Sequence, residues 1–212
     1  MEYEIWRNEV FGMNGNSCPV ETKMIDETYS LEENLILDYI DKSLTDSSIH
    51  LLYSPKQIGI GLNIIYSNCF SDFSFSYLNF SNERRIISSI KNLNYLYQNF
   101  FEKYCNSPVK KIGDITDKRL DYICYMFWDI FVLYPKAENI TKKVIDTSVQ
   151  VMAQQLLSKN ENVLVSALHG LGHWVDDCPE IEYIIDKWLK APSTTNPVIH
   201  DYAKVAKTGY IQ

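Results

Sequence analysis

The chain has 212 residues, a hydrophobic fraction of 46% and a formal charge of −7, which excludes a disordered polymer and fits a single globular domain. A net-negative chain lacks the dense basic surface that phosphate backbones require, so nucleic acid is a poor partner and a basic protein a natural one. No apolar run approaches the ~18 residues of a bilayer span, and the acidic start Met1-Glu2-Tyr3-Glu4 has no apolar leader core, so the expectation is a cytoplasmic protein that avoids the membrane.

The first 29 residues carry little periodicity. Tyr3 to Arg7 alternates weakly, as a short strand or an extended cover would, and Gly12 to Pro19 reads as a turn-rich loop. Ser30-Leu31-Glu32-Glu33 has the spacing of a capping box and opens a helix that runs to about Leu44. Pro55 suits the first turn of a second helix, which extends through Cys69. From Phe70 to Phe80 serines and aromatics alternate in a loop packed by its rings. The spacing of Ile86, Ile90, Leu93, Tyr97, Phe100 and Tyr104 predicts a long helix over 82–104. Further helices are predicted over 118–133, capped by Thr116 or Asp117, and over 139–157, 161–175, 179–190 and 198–207, with Gly209 closing the last.

Short links between these helices force antiparallel neighbours, and successive pairs are spaced near ~40 residues, in the HEAT and armadillo range. The expected fold is therefore all-α: one domain, irregular over 1–29 and built of antiparallel helix pairs over 30–212, in an α-α superhelix. An irregular helical bundle is the alternative. The cysteines, Cys18, Cys69, Cys105, Cys124 and Cys178, are odd in number and have no CxxC spacing, as expected of reduced thiols that mostly fill core.

Three groups of residues stand out. In His169-Gly170-Leu171-Gly172-His173 the histidines sit at i and i+4, a spacing that suits zinc. The glutamate of the zinc-protease motif is missing, and the third ligand would have to come from Asp176, Asp177, Cys178 or His200. On a helical wheel, Val163, Leu164, Ala167, Leu168, Leu171, Trp174 and Val175 form the apolar stripe, and both histidines point away from it. Each glycine inside that helix costs about 1 kcal/mol relative to alanine, which close approach of another backbone would offset. The readings are structural packing, a partner-binding face, or a metal site, with packing favoured and no metal or cofactor assigned.

The second group is Asp121, Tyr125, Trp128 and Asp129, which share one face of the 118–133 helix. Aromatics between carboxylates suit capture of a basic partner, with Trp128 as anchor, although packing against the next helix layer explains them as well. The third is the acidic face of Glu32, Glu33, Asp38 and Asp41, in a region where residues 1–50 hold 11 acids and 3 bases. Solvation alone would account for such a face. Gly59-Ile60-Gly61 lacks the third glycine of a dinucleotide loop, and no phosphate loop or nucleophile-elbow serine is present, so enzyme chemistry finds no motif.

The segment from Ser166 to Trp174, with Pro179, the run from Ile181 to Leu189 and Tyr125-Met126-Phe127-Trp128-Asp129, resembles a group of small bacterial HEAT-like helical proteins. The resemblance spans roughly 118–190. Some members of that group accompany contact-dependent or polymorphic toxins, so it implies an immunity protein that binds a cognate toxin, a cationic nuclease domain being the expected target. A HEAT-like scaffold for another protein partner is the alternative. The candidate partner-binding residues are Asp121, Tyr125, Trp128, Asp129, His169, His173, Asp176, Asp177, Glu32 and Glu33.

Overall fold

The structure is a computed structural model that describes residues 2–12, 33–113 and 119–211, with Glu33 and Asn34 described in their backbone alone. The expected loop over 13–19, the capping box at Ser30 and the Thr116 or Asp117 cap lie outside the described residues. Among the described residues every regular element is helical.

The first helix, α1 (Tyr3–Phe11), replaces the expected strand. Tyr3, Trp6, Val10 and Phe11 are its buried residues, at i, i+3, i+7 and i+8, so helical spacing prevails over the weak alternation. Then come α2 (Glu33–Thr45), the single turn α3 (Ile49–Leu52) and α4 (Pro55–Tyr66). Helix α4 begins with Pro55 at its first position and Ser54 in a reciprocal capping box with Gln57. The expected aromatic loop contains two 3-10 turns, Phe73–Leu78 and Phe80–Asn82. The long helix follows as α5 (Glu83–Leu96), a π turn (Tyr97–Phe101) and α6 (Glu102–Tyr104). Tyr97, Phe100 and Phe101, at i, i+3 and i+4, are all buried in that turn. The remaining helices are α7 (Arg119–Ile130), α8 (Lys142–Gln155), α9 (Glu161–Trp174), α10 (Glu180–Lys190) and α11 (Pro197–Ala206).

These helices form two layers. In the first, α4 packs on α7, α7 on α9, and α9 on α11. Gly59 faces Arg119 while Tyr66 meets Phe127, and His169 meets Tyr202 while Gly172 faces Ala206, so neighbours in this layer run parallel. The second layer stacks α2, α5, α8 and α10. Arg85 bonds Asp38 and Asp41, Gln155 bonds Asn94, and the Trp188 indole donates to the Leu156 carbonyl. Parallel neighbours within layers joined by antiparallel pairs are the arrangement of an α-α superhelix, as the loop lengths imply.

The core where the layers meet is largely aromatic. Tyr66, Phe127 and Phe131 pack edge-on or stacked, and Tyr97, Phe101 and Trp128 surround Phe127. Such contacts contribute about 0.5–1.5 kcal/mol each beyond the area they bury. Cys105, Cys124 and Cys178 are buried free thiols and Cys69 is exposed. The hydrogen bond with Cys124, and then burial, push the Cys105 thiol far above its ordinary range, so it stays protonated.

Candidate functional site

The histidine-glycine segment lies in the middle of the first layer, between α7 and α11. Gly170 is where α7 comes closest. A Cβ there would stand 2.4 Å from Cδ1 and 2.5 Å from Cγ of Trp128, and 2.7 Å from the Met152 sulfur. Gly172 does the same for the C-terminal side, where a Cβ would stand 3.1 Å from the Ala206 Cα and 2.8 Å from Ile211 Cδ1. The two glycines are offset by close helix approach, in agreement with the packing reading.

That approach carries Asp129 of α7 onto the histidines of α9. Oδ2 of Asp129 lies 2.7 Å from Nε2 of His169, and Oδ1 lies 2.6 Å from Nε2 of His173. The two Nε2 atoms are 3.3 Å apart. On its other side His169 Nδ1 bonds the Tyr202 hydroxyl of α11 at 2.5 Å. The Tyr125 ring lies on the His169 ring with centroids 4.4 Å apart, and its hydroxyl is hydrogen-bonded to Tyr202. Burial opposes ionisation of Asp129, but the bonds to His169 and His173 outweigh it and hold the carboxyl at about 2. Burial, Tyr125 and the nearby Asp129 charge push the Tyr202 phenol up, so it remains a neutral hydroxyl able to donate or accept.

The wheel placed both histidines away from the apolar stripe. His173 does reach solvent, with 38% of its side chain exposed, but His169 is 1% exposed. A helix flanked by neighbours on two sides has two buried faces, and α11 covers the one that holds His169. Trp128 is likewise corrected from surface anchor to core. It is 3% exposed, and its indole donates to the Tyr97 hydroxyl at 2.9 Å, which bonds Ser166 at 2.9 Å. Asp121 is also buried and accepts from the Ser107 hydroxyl at 2.5 Å, so neither residue is open to a partner.

The third ligand for a histidine pair does not come from the residues nearest in sequence. His200 donates to the Thr194 carbonyl at 2.7 Å, Cys178 is buried elsewhere, and Asp177 pairs with Lys136 at 3.1 Å. Asp129, forty positions upstream, occupies that place. The sequence signal for it was its position on the same face as Tyr125, which made it a partner-binding candidate and not a ligand.

In the acidic N-terminal region, Asp38 and Asp41 both bind Arg85, at 2.8 and 2.7 Å. Asp46 binds Arg7 at 3.0 Å. Much of that charge is thus satisfied within the chain. Glu32 lies outside the described residues, and Glu33 is described in its backbone alone. The predicted residues that remain accessible are Tyr125, Asp129, His173, Asp176 and Asp177, and they gather near the C-terminal ends of α7 and α9. No family model, curated protein or solved structure matches the chain.

Proposed function

We propose that the chain is a protein-binding helical-repeat module that neutralises a cationic toxin domain, a nuclease of a contact-dependent inhibition system being the expected target. One observation carries the reading. Asp176 and Asp177 are exposed one turn beyond His173, at the C-terminal end of α9, where the helix dipole already adds negative charge. Asp129 of α7 meets His173 of α9 at 2.6 Å, and Tyr134, 54% exposed, follows α7. Acidic groups at the end of α9 and an exposed aromatic beyond the end of α7 suit steering and seating of a basic surface, and they would occupy the site that nucleic-acid phosphates use on a nuclease. The resemblance over 118–190 supports the same reading and covers these residues.

The test is co-expression with the product of the adjacent gene, scored by cell survival and by co-purification. Rescue with a one-to-one complex supports the proposal. Toxicity that persists without any complex rejects it and leaves a scaffold for a different protein as the alternative.

A further inference from the structure

We propose that Asp129, His169 and His173 form a binding site for a divalent transition-metal ion of the zinc class, with a coordination position open to solvent. The proposal shares Asp129 with the partner reading above but does not rest on it.

A bare ring nitrogen and a carboxylate oxygen repel each other at contact distance, so each Nε2 facing Asp129, at 2.7 and 2.6 Å, needs a proton or a cation on it. One dication between the three groups can take the place of both protons, with the two nitrogens 3.3 Å apart on one side of it. It accepts a lone pair from each Nε2 and neutralises the carboxylate, a group that is already ionised.

The ligand atoms of Asp129, His169 and His173 all lie within 4.8 Å of one another. A tetrahedral site with bonds of ~2.0–2.1 Å places neighbouring ligand atoms about 3.3–3.4 Å apart. The two nitrogens are at that separation now. The carboxylate has to withdraw by about 0.6–0.8 Å to match it. Two imidazoles and one carboxylate favour zinc or iron(II) over calcium or magnesium, which prefer all-oxygen shells.

A ligating imidazole ordinarily gives its other ring N–H to an oxygen acceptor, which fixes its tautomer. His169 has that partner in the Tyr202 hydroxyl at 2.5 Å, backed by Tyr125. The neutral phenol accepts from Nδ1–H when Nε2 holds metal and donates to Nδ1 when Nε2 holds a proton. His169 is buried at the base of the site, while His173 and Asp129 have 38% and 21% of their side chains exposed. Ion entry and the fourth ligand, water, are therefore on the His173 side.

The experiment uses untagged full-length protein stripped with a chelator and titrated with Co²⁺, read by visible d–d absorption and checked by competition with Zn²⁺. One Co²⁺ per chain is expected, displaced by one Zn²⁺. His173→Ala should weaken binding at least about 100-fold with unchanged circular dichroism, since His173 reaches solvent and is not part of the core. Tyr202→Phe should weaken it by about 10-fold to 100-fold, as loss of an outer partner does. No Co²⁺ signal from folded protein at millimolar metal overturns the site, and so does binding that His173→Ala leaves intact. Either result establishes the trio as a hydrogen-bonded clasp.

Discussion

Trp128 lies against Gly170, and its indole fills the space that a side chain at position 170 would need. Gly170→Ala sets a methyl 2.4 Å from a ring wedged among Phe127, Phe131 and Trp174. The ring cannot turn aside, so the helices must separate, at a cost of about 1–3 kcal/mol. Gly172→Ala first meets the flexible end of Ile211 and should cost less. Thermal unfolding of the two variants side by side checks the order. An equal or reversed order contradicts the account.

Trp128→Ala should destabilise the fold by about 3–5 kcal/mol, the range for removing a large buried aromatic. It also leaves the Tyr97 hydroxyl without its indole donor. Chemical denaturation measures this. A variant of wild-type stability with impaired partner binding would restore Trp128 to the surface role that its sequence suggests.

Asp46 governs an acid transition at the N-terminal end. Burial opposes its charge, but bonds from Ser48, Arg7 and Tyr3 outweigh that and hold its carboxyl at about 2. An unfolded aspartate titrates near about 3.9, so the folded value is depressed. The stabilisation is complete above about 4 and is lost as pH falls towards about 2. Asp46→Asn should lower stability at neutral pH by on the order of 1 kcal/mol, allowing for solvent screening, and flatten the decline between those values. Denaturation midpoints at pH 7, 4 and 2.5 for both proteins test this, and parallel curves would refute it.

Reversing charge at Asp176 and Asp177 tests the proposed partner surface. The pair Asp176→Lys, Asp177→Lys should slow association with a cationic partner at least about tenfold at low salt, with a smaller effect at high salt. Stability should change little, because both residues are exposed and only Asp177 has an ion pair, to Lys136. Unchanged association kinetics at low salt would place the partner elsewhere.

Most helix positions were legible because proline, capping residues and the 3.6-residue period act locally. Helices α8 to α11 begin and end within about three residues of the expected bounds. Helix α1 was misread because Ile5 and Trp6 fall together and blur the spacing of Tyr3, Trp6 and Val10. The burial of His169 and Trp128 could not be read from one wheel, since it depends on how many neighbours each helix has. The meeting of Asp129 with the histidines was harder still. It joins two helices that are parallel but not consecutive, a relation that the spacing of residues along one helix does not encode.

The layered build has a kinetic consequence. The main helix packing is between successive pairs, so unfolding can start at an end of the stack and advance one pair at a time. The contact of Asp129, His169 and Tyr202 ties α7, α9 and α11 together across the last two joints of the first layer. Fraying of the C-terminal end must break it before the aromatic centre is reached. Amide exchange in α11 would then report on a latch whose strength depends on what sits between an aspartate and two histidines.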